Sequence, residues 1–176
     1  MEIATGEFYK PTIRLLTQHC IAEKKEKRKQ YSIKHRSYAA VTILLLIISV
    51  ESQTGTKSIF KTVQNVCPER IQKAKELSTI RDTIAHGHGI SDFEVDFDED
   101  FGMSLIPTSW QGDTNRKKYQ KSLGANQKTK ELKIEMSPKR LTIKDIQIVI
   151  NELIEISNYE PIIDQQFLRE IQNMIF

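Results

Sequence analysis

The sequence predicts a mainly α-helical protein, an up-and-down bundle of five to six helices with a small β insertion around residues 91–137. Apolar residues recur at helical spacing over most of the chain, whereas they alternate with charged residues in two short stretches of the insertion. With 39% hydrophobic and 28% charged residues, 7 Gly and 5 Pro, the composition is typical of a folded globular protein. We expect one domain, residues 1–176, with one core.

The first two helices are predicted from an apolar stripe and a long apolar run. Pro11 suits the first turn of a helix, and Ile13, Leu16 and Cys20 follow at helical spacing. A second helix is expected over residues 31–51, which include the 12-residue apolar run 39–50. That run is shorter than the roughly 20 residues of a bilayer-spanning helix, so we expect a buried central helix and no membrane segment.

Glycine and proline separate the next two helices. Gly55 is expected to end the second helix, and a short third helix is expected to end before Pro68. Pro68 then opens a fourth helix, which Gly87 and Gly89 end. The apolar residues of the third helix are Ile59, Phe60, Val63 and Val66, and those of the fourth are Ile71, Ala74, Leu77, Ile80 and Ile84.

The insertion is predicted from a change of period. Apolar and charged residues alternate over 93–97 and again over 132–136, which favours strands. The polar residues between, 111–130, have no clear periodicity and are expected to form a mobile loop. Helical periodicity then returns, with Thr142 as the expected N-cap and Asp145 completing a capping box. The last two apolar faces consist of Ile143, Ile146, Val149, Ile150, Leu153 and Ile154, and of Ile163, Phe167, Ile171 and Met174 after Pro161.

Charge is unevenly distributed, although the formal net charge is only +3. Seven Lys or Arg residues lie between Lys24 and Arg36, six acids lie between Asp92 and Asp100, and a second basic region follows. Basic regions concentrate RNA near a protein, but a solvated helix end explains the first region equally well. The RNA-contact candidates are Lys27, Arg28, Lys34, Arg36, Arg116, Lys117 and Lys118.

The two cysteines and the N-terminus indicate a reducing compartment. Cys20 and Cys67 have neither disulfide-framework nor metal-binding spacing, so we expect small core residues. The first residues lack the basic start and apolar run of a signal peptide. A cytoplasmic location is therefore expected.

The highest density of reactive groups lies in residues 81–86, RDTIAH, followed at once by GHG. Arginine can bind a phosphate, a carboxylate can orient an imidazole, and histidine can transfer a proton. On an ideal helix Asp82 and His86 share one face, whereas Arg81 and His86 are about 140° apart. Because one straight helix does not easily aim both at one phosphate, this geometry favours a composite site across a two-fold dimer interface or a helix break at Gly87.

The motif, in a helical bundle of this size, resembles the HEPN superfamily. Its hallmark is R-x(4–6)-H, often with Asn, Asp or His after the Arg, which Arg81, Asp82 and His86 match position by position. Some HEPN toxins carry a Tyr two residues after the His, which a partner nucleotidyltransferase modifies. That position is His88 here, so this form of control is not expected, but His88 could assist the reaction.

The resemblance implies a metal-independent endoribonuclease, often a toxin or antiviral effector, that acts as a homodimer on RNA. His86 would serve as general base or acid, Arg81 would stabilise the charge of the transition state, and Asp82 would orient His86. Attack by the 2′-hydroxyl would leave a 2′,3′-cyclic phosphate. The resemblance implies no cofactor and leaves room for an antitoxin protein as a partner.

Other readings of the same residues stay open. Arg81 and His86 also suit an ordinary basic helix C-terminus, as in an inactive HEPN-like nucleotide- or protein-binding module or an unrelated helical interaction protein. His86, His88 and Asp92 could begin a metal cluster, but no further ligand stands at a firm spacing. The acidic run 96–100 lacks the Gly of a calcium loop, so we expect no metal.

Overall fold

Six α-helices pack as a bundle in the described part of the protein. The computed structural model describes residues 8–25, 33–56, 58–86, 128–136 and 138–176, with 23–25, 33–37, 86 and 139 described by their backbone alone. No β-strand occurs in these ranges. The helices are α1 (Tyr9–Lys25), α2 (Ile33–Thr54), α3 (Ile59–Val66), α4 (Ile71–His86), α5 (Ile143–Ser157) and α6 (Gln165–Ile175).

The apolar run of α2 forms the centre of the bundle, as predicted. Ile43, Leu46, Ile47 and Val50 are at most 1% exposed, and α1, α4 and α5 all pack against this helix. Because α2 is surrounded on most sides, its sequence is apolar almost all round rather than along one stripe. No single described helix is long and apolar enough to cross a membrane. Residues 38–54 of α2 and the whole of α3 reach that length and hydropathy only when taken together, and the two segments are bent by 56° relative to each other.

Local signals at helix ends place several boundaries correctly. α3 ends at Val66, one residue before Cys67 and the 3-10 turn that Pro68 begins. Thr142 is the N-cap of α5, and the carboxylate of Asp145 accepts hydrogen bonds from the Thr142 backbone N–H and hydroxyl, both at 2.8 Å. Such caps act within one turn of chain, which explains why the sequence alone indicates them.

The predicted strand over 132–136 is wrong. Residues 128–136 form a tight turn with one isolated antiparallel bridge between Lys128 and Glu135, and Lys133 adopts φ 59°. The alternation nevertheless corresponds to burial, since Leu132, Ile134 and Met136 are 7% exposed or less. The other predicted strand, at 93–97, and residues 111–127 of the loop predicted over 111–130 lie outside the described residues, whereas 128–130 belong to the turn.

A buried carboxylate fastens this turn to α4. Glu76 is 0% exposed, and its carboxylate accepts hydrogen bonds from the backbone N–H of Glu131 at 3.0 and 3.2 Å and of Leu132 at 2.9 Å. The buried N–H of Leu132 and the part-buried N–H of Glu131 thereby gain an acceptor. The C-terminal end of the predicted insertion is therefore held on the same helix that carries the Arg-Asp-His motif.

Asp164 is expected to stabilise the start of α6 in a pH-dependent way. Its carboxylate accepts from the Phe167 N–H at 2.9 Å and from Lys10. Burial raises the pKa of Asp164, but these hydrogen bonds outweigh burial, and the pKa lies below its ordinary value. The stabilisation is thus present above the pKa of the unfolded chain and is lost as the pH falls through the folded pKa.

We expect Asp164→Ala to lower the free energy of unfolding at pH 7 by about 1–2 kcal/mol, the usual cost of losing an N-cap. The difference from wild type should shrink as the pH falls below 4, measured by urea unfolding. Glu170→Ala, which removes an exposed ion pair with Arg14, is the matched control and should cost about 1 kcal/mol or less. A cost of Asp164→Ala that is constant down to pH 2 contradicts the assignment.

Candidate active site

Helix α4 runs back along α2, which places the motif beside the central helix. The Ser78 hydroxyl of α4 meets the Ser58 hydroxyl at 2.8 Å, beyond the C-terminal end of α2. One turn later, Arg81 meets Glu51, within the last turn of α2. α4 is therefore antiparallel to α2. Its last residue, His86, lies about 7.5 Å further along the α4 axis than Arg81.

Glu51 holds the motif arginine across the two helices. Nη1 of Arg81 donates to both carboxylate oxygens of Glu51, at 2.7 and 2.6 Å. Glu51 is 7% exposed, and its Oε1 also accepts the N–H of Ile59, the first residue of α3, at 2.9 Å. One buried carboxylate thus joins α2, α3 and α4 and fixes the position of the guanidinium.

Sequence reasoning missed Glu51 as a member of this site. It placed Glu51 only as the last residue of the expected second helix, 31–51. A signal was present, because Glu51 follows Ile43 and Ile47 at i+8 and i+4, on the side of the helix that faces the core. A carboxylate at such a position needs a buried partner.

Asp82 binds the same guanidinium. Nε of Arg81 donates to Oδ1 of Asp82 at 2.9 Å, and Nη2 donates to the same oxygen. The side chains of Arg81 and Asp82 are 19% and 18% exposed, so the pair lies at the edge of the bundle. That Asp82 orients His86 stays a prediction, because the His86 side chain is outside the described residues.

The charges of this cluster are unbalanced. Burial lowers the pKa of Arg81, but the hydrogen bonds to Glu51 and Asp82 outweigh burial, and the pKa is raised. Arg81 therefore stays a cation, facing two carboxylates, for a formal charge of −1 across the three side chains. A phosphate would meet net repulsion from these three groups alone, so phosphate binding needs cations from elsewhere.

Three hydroxyl side chains of α4 within one turn of Arg81 are buried. Ser78, Thr79 and Thr83 of α4 are all 6% exposed or less. The Thr83 hydroxyl, inside the motif, is buried and has no hydrogen-bond partner in the described structure. At 100° per residue Thr79 and Thr83 lie about 160° around α4 from Arg81, so these hydroxyls belong to the opposite side of the helix.

The other predicted site residues are not brought to this cluster in the described structure. Lys34 and Arg36 lie in the first turn of α2, about 22–26 Å along the helix axis from Glu51 at 1.5 Å per residue. Their side chains lie outside the described residues, as do Lys27, Arg28, His88, Arg116, Lys117 and Lys118 in full.

The cysteine prediction is confirmed, and no metal site is found within the described ranges. Neither Cys20 nor Cys67 forms a disulfide bond, and both side chains are 0% exposed inside the hydrophobic core. The described residues contain no group of three His, Cys, Asp or Glu side chains arranged to hold a metal ion. The candidate metal ligands His88 and Asp92 and the acidic run 96–100 lie outside them.

In comparisons with known proteins, no protein-family model, no curated protein and no solved structure matches this chain.

Proposed function

We propose that this chain is a HEPN-type, metal-independent endoribonuclease that cleaves RNA at a composite site formed by two copies. The observation that carries the proposal is the fixed position of Arg81. Arg81 lies more than one turn before His86, the last described residue of α4, and a buried carboxylate of the neighbouring helix holds it. A rigid, partly exposed guanidinium is what transition-state stabilisation of a phosphate requires.

In the proposed reaction, His86 removes the proton of an RNA 2′-hydroxyl or protonates the leaving 5′-oxygen. Arg81 stabilises the additional negative charge of the phosphorane-like transition state. Glu51 and Asp82 prevent the guanidinium from rotating away. The 2′-hydroxyl attacks the phosphorus, the bond to the 5′-oxygen breaks, and a 2′,3′-cyclic phosphate and a 5′-hydroxyl result.

In the two-copy form of the site, His86 of one copy and Arg81 of the other act on the same phosphate. Since Glu51, Arg81 and Asp82 sum to −1 in each copy, cations outside these three side chains must offset the repulsion of a phosphate. The basic candidates from Lys27 to Arg36 and from Arg116 to Lys118 would bind the RNA backbone outside the cleft.

The wider role follows from the same resemblance. We propose a cytoplasmic toxin or phage-defence effector, with an antitoxin protein as its partner and an up-and-down bundle that residues 91–137 interrupt.

The alternative is a bundle without catalysis, either an inactive HEPN-like nucleotide- or protein-binding module or an unrelated helical interaction protein. One observation favours it: Arg81 forms ion pairs with two carboxylates, an arrangement that also serves to tie α2 to α4. In this case His86 is an ordinary helix-end residue.

The test is RNA cleavage by the purified wild-type protein and by His86→Ala, in the presence of EDTA. We expect cyclic-phosphate products from wild type, and a rate lower by about 10²–10⁴-fold in His86→Ala, as for loss of a general acid or base. DNA and 2′-O-methyl RNA of the same sequence should stay intact, because both lack the attacking hydroxyl.

His86→Ala should melt at the wild-type temperature, so that lost activity reflects chemistry and not unfolding. Wild-type protein that leaves every RNA intact, or a His86→Ala variant that cleaves at the wild-type rate, overturns the proposal in favour of the non-catalytic bundle.

A further inference from the structure

All three nitrogens of the Arg81 guanidinium donate to carboxylates. Nη1 donates to both oxygens of Glu51, whereas Nε and Nη2 both donate to Oδ1 of Asp82. Arginine binds a phosphate most strongly through two parallel N–H groups of its planar fork. A phosphate that is to receive two parallel hydrogen bonds from Arg81 must therefore replace one of the two carboxylates.

Glu51 is the carboxylate that is costly to replace. It is 7% exposed, it also accepts the Ile59 N–H at 2.9 Å, and it belongs to a different helix from Arg81. Its displacement would break a contact between α2 and α4 and would leave a buried charge without its cation. We therefore expect Glu51 to stay on Nη1 when a phosphate arrives.

Asp82 is the carboxylate that is easy to replace. It follows Arg81 directly on the same helix, its side chain is 18% exposed, and both hydrogen bonds from Arg81 go to one of its oxygens. Adjacent side chains of a helix point about 100° apart, so rotation of the Asp82 side chain breaks this pair without moving a helix. The Nε–Nη2 edge of Arg81 is therefore the edge that a phosphate can take over.

We propose that Asp82 occupies the phosphate-binding edge of Arg81 in the substrate-free protein, and that an incoming phosphate group displaces it. Asp82 is then an internal competitor of the substrate. Until it is displaced, it holds the guanidinium together with Glu51, and afterwards Glu51 holds it alone. That the incoming phosphate belongs to an RNA strand rests on the proposed function, whereas the competition between Asp82 and a phosphate does not.

Charge makes this competition selective. Glu51, Arg81 and Asp82 together carry a formal charge of −1, so a single small anion is repelled while it competes with Asp82. An RNA strand brings several phosphates, and cations outside the cluster that bind the neighbouring phosphates offset this repulsion. Asp82 therefore keeps inorganic phosphate and similar small anions away from Arg81 and admits a nucleic-acid backbone.

The test follows the Nε–H signal of Arg81 by ¹H–¹⁵N NMR while inorganic phosphate is added to wild type, Asp82→Asn and Asp82→Ala. Loss of the signal in Arg81→Lys assigns it. Both Asp82 variants lack the competitor and one repulsive charge, so we expect phosphate to bind at Arg81 about tenfold more tightly than in wild type. Because alanine favours a helix more than aspartate does, Asp82→Ala is expected to stay folded.

Glu170→Gln is the matched control. It also removes one negative charge from an arginine–carboxylate pair, that of Arg14 on α1 with Glu170 on α6. It should leave the phosphate affinity measured at the Arg81 signal unchanged. A second titration uses 2′-O-methyl RNA, which has no attacking hydroxyl. In wild type it should move the Arg81 signal at a lower phosphate concentration than inorganic phosphate does, and an equal concentration for both would refute the selectivity.

The outcomes separate this competition from the ribonuclease. If both Asp82 variants bind phosphate at Arg81 more tightly while wild type cleaves no RNA, the competition stands and the proposed function fails. If both are folded and bind phosphate no more tightly than wild type, Asp82 is not a competitor, whatever the activity. An equal gain at the Arg81 signal in Glu170→Gln would also overturn the proposal, because net charge and not Asp82 would then set the affinity.

Discussion

Replacing Arg81 with alanine is expected to lower the free energy of unfolding by about 3 kcal/mol, the cost of leaving a buried charge without its partner. Glu51 is 7% exposed, and without Arg81 it would keep the hydrogen bond from the Ile59 N–H. We choose the lower end of the usual range because 19% of the Arg81 side chain is in water. The measurement is urea unfolding at pH 7.

A second arginine–carboxylate pair supplies the control. Arg14 also reaches both oxygens of one carboxylate, that of Glu170, but their side chains are 41% and 43% exposed. Arg14→Ala should therefore cost about 1 kcal/mol or less. The double variant Arg81→Met with Glu51→Gln should recover part of the loss, because it removes both charges and keeps an acceptor for Ile59.

Equal losses in the free energy of unfolding for Arg81→Ala and Arg14→Ala would mean that the Glu51 contact is not important for stability. A larger loss for Arg81→Ala also affects the interpretation of activity data. Loss of RNA cleavage in Arg81→Ala can come from a loosened α2–α4 contact as well as from lost catalysis. His86→Ala is for this reason the cleaner test of the proposed reaction.

Replacing Glu76 with alanine is expected to lower the free energy of unfolding by about 3 kcal/mol or more, through loss of the contact between α4 and the turn at 128–136. The carboxylate is 0% exposed and accepts the backbone N–H groups of Glu131 and Leu132. Hydrogen bonds to a charged group contribute about 1.5–3 kcal/mol each, and both donors would be left without this acceptor. Leu132 and Ile134 would lose part of their packing as the turn separates from α4.

Amide hydrogen exchange identifies where this effect occurs. In Glu76→Ala, the amides of Glu131 and Leu132 should exchange much faster than in wild type, whereas the amides of α5 should change only with global stability. Glu76→Gln keeps one acceptor oxygen and should lose about half as much stability. Glu155→Ala is the surface control, because Glu155 forms an ion pair with Arg70 and its own side chain is 50% exposed. Unchanged protection of Leu132 in Glu76→Ala would refute the anchoring role.

Much of the fold follows from patterns within one or two turns of chain. The end of α3 before Pro68, the Thr142–Asp145 cap and the buried stripe of α5 are all where the sequence predicts them. The period-two stretch at 132–136 shows the limit of this reasoning. Alternating burial arises in any extended segment that lies on a core, and a strand additionally needs a partner strand, which no local pattern reveals.

The candidate site divides in the same way. The sequence by itself determined that Arg81, Asp82 and His86 stand together near the end of a helix, because their spacing is a local property of the chain. Only the tertiary structure decided that Glu51, 30 residues earlier, holds the arginine, and that Glu76 holds a turn 55 residues later. Those contacts depend on which helix faces meet when apolar surface is buried, and burial does not specify in advance which carboxylate lies opposite which donor.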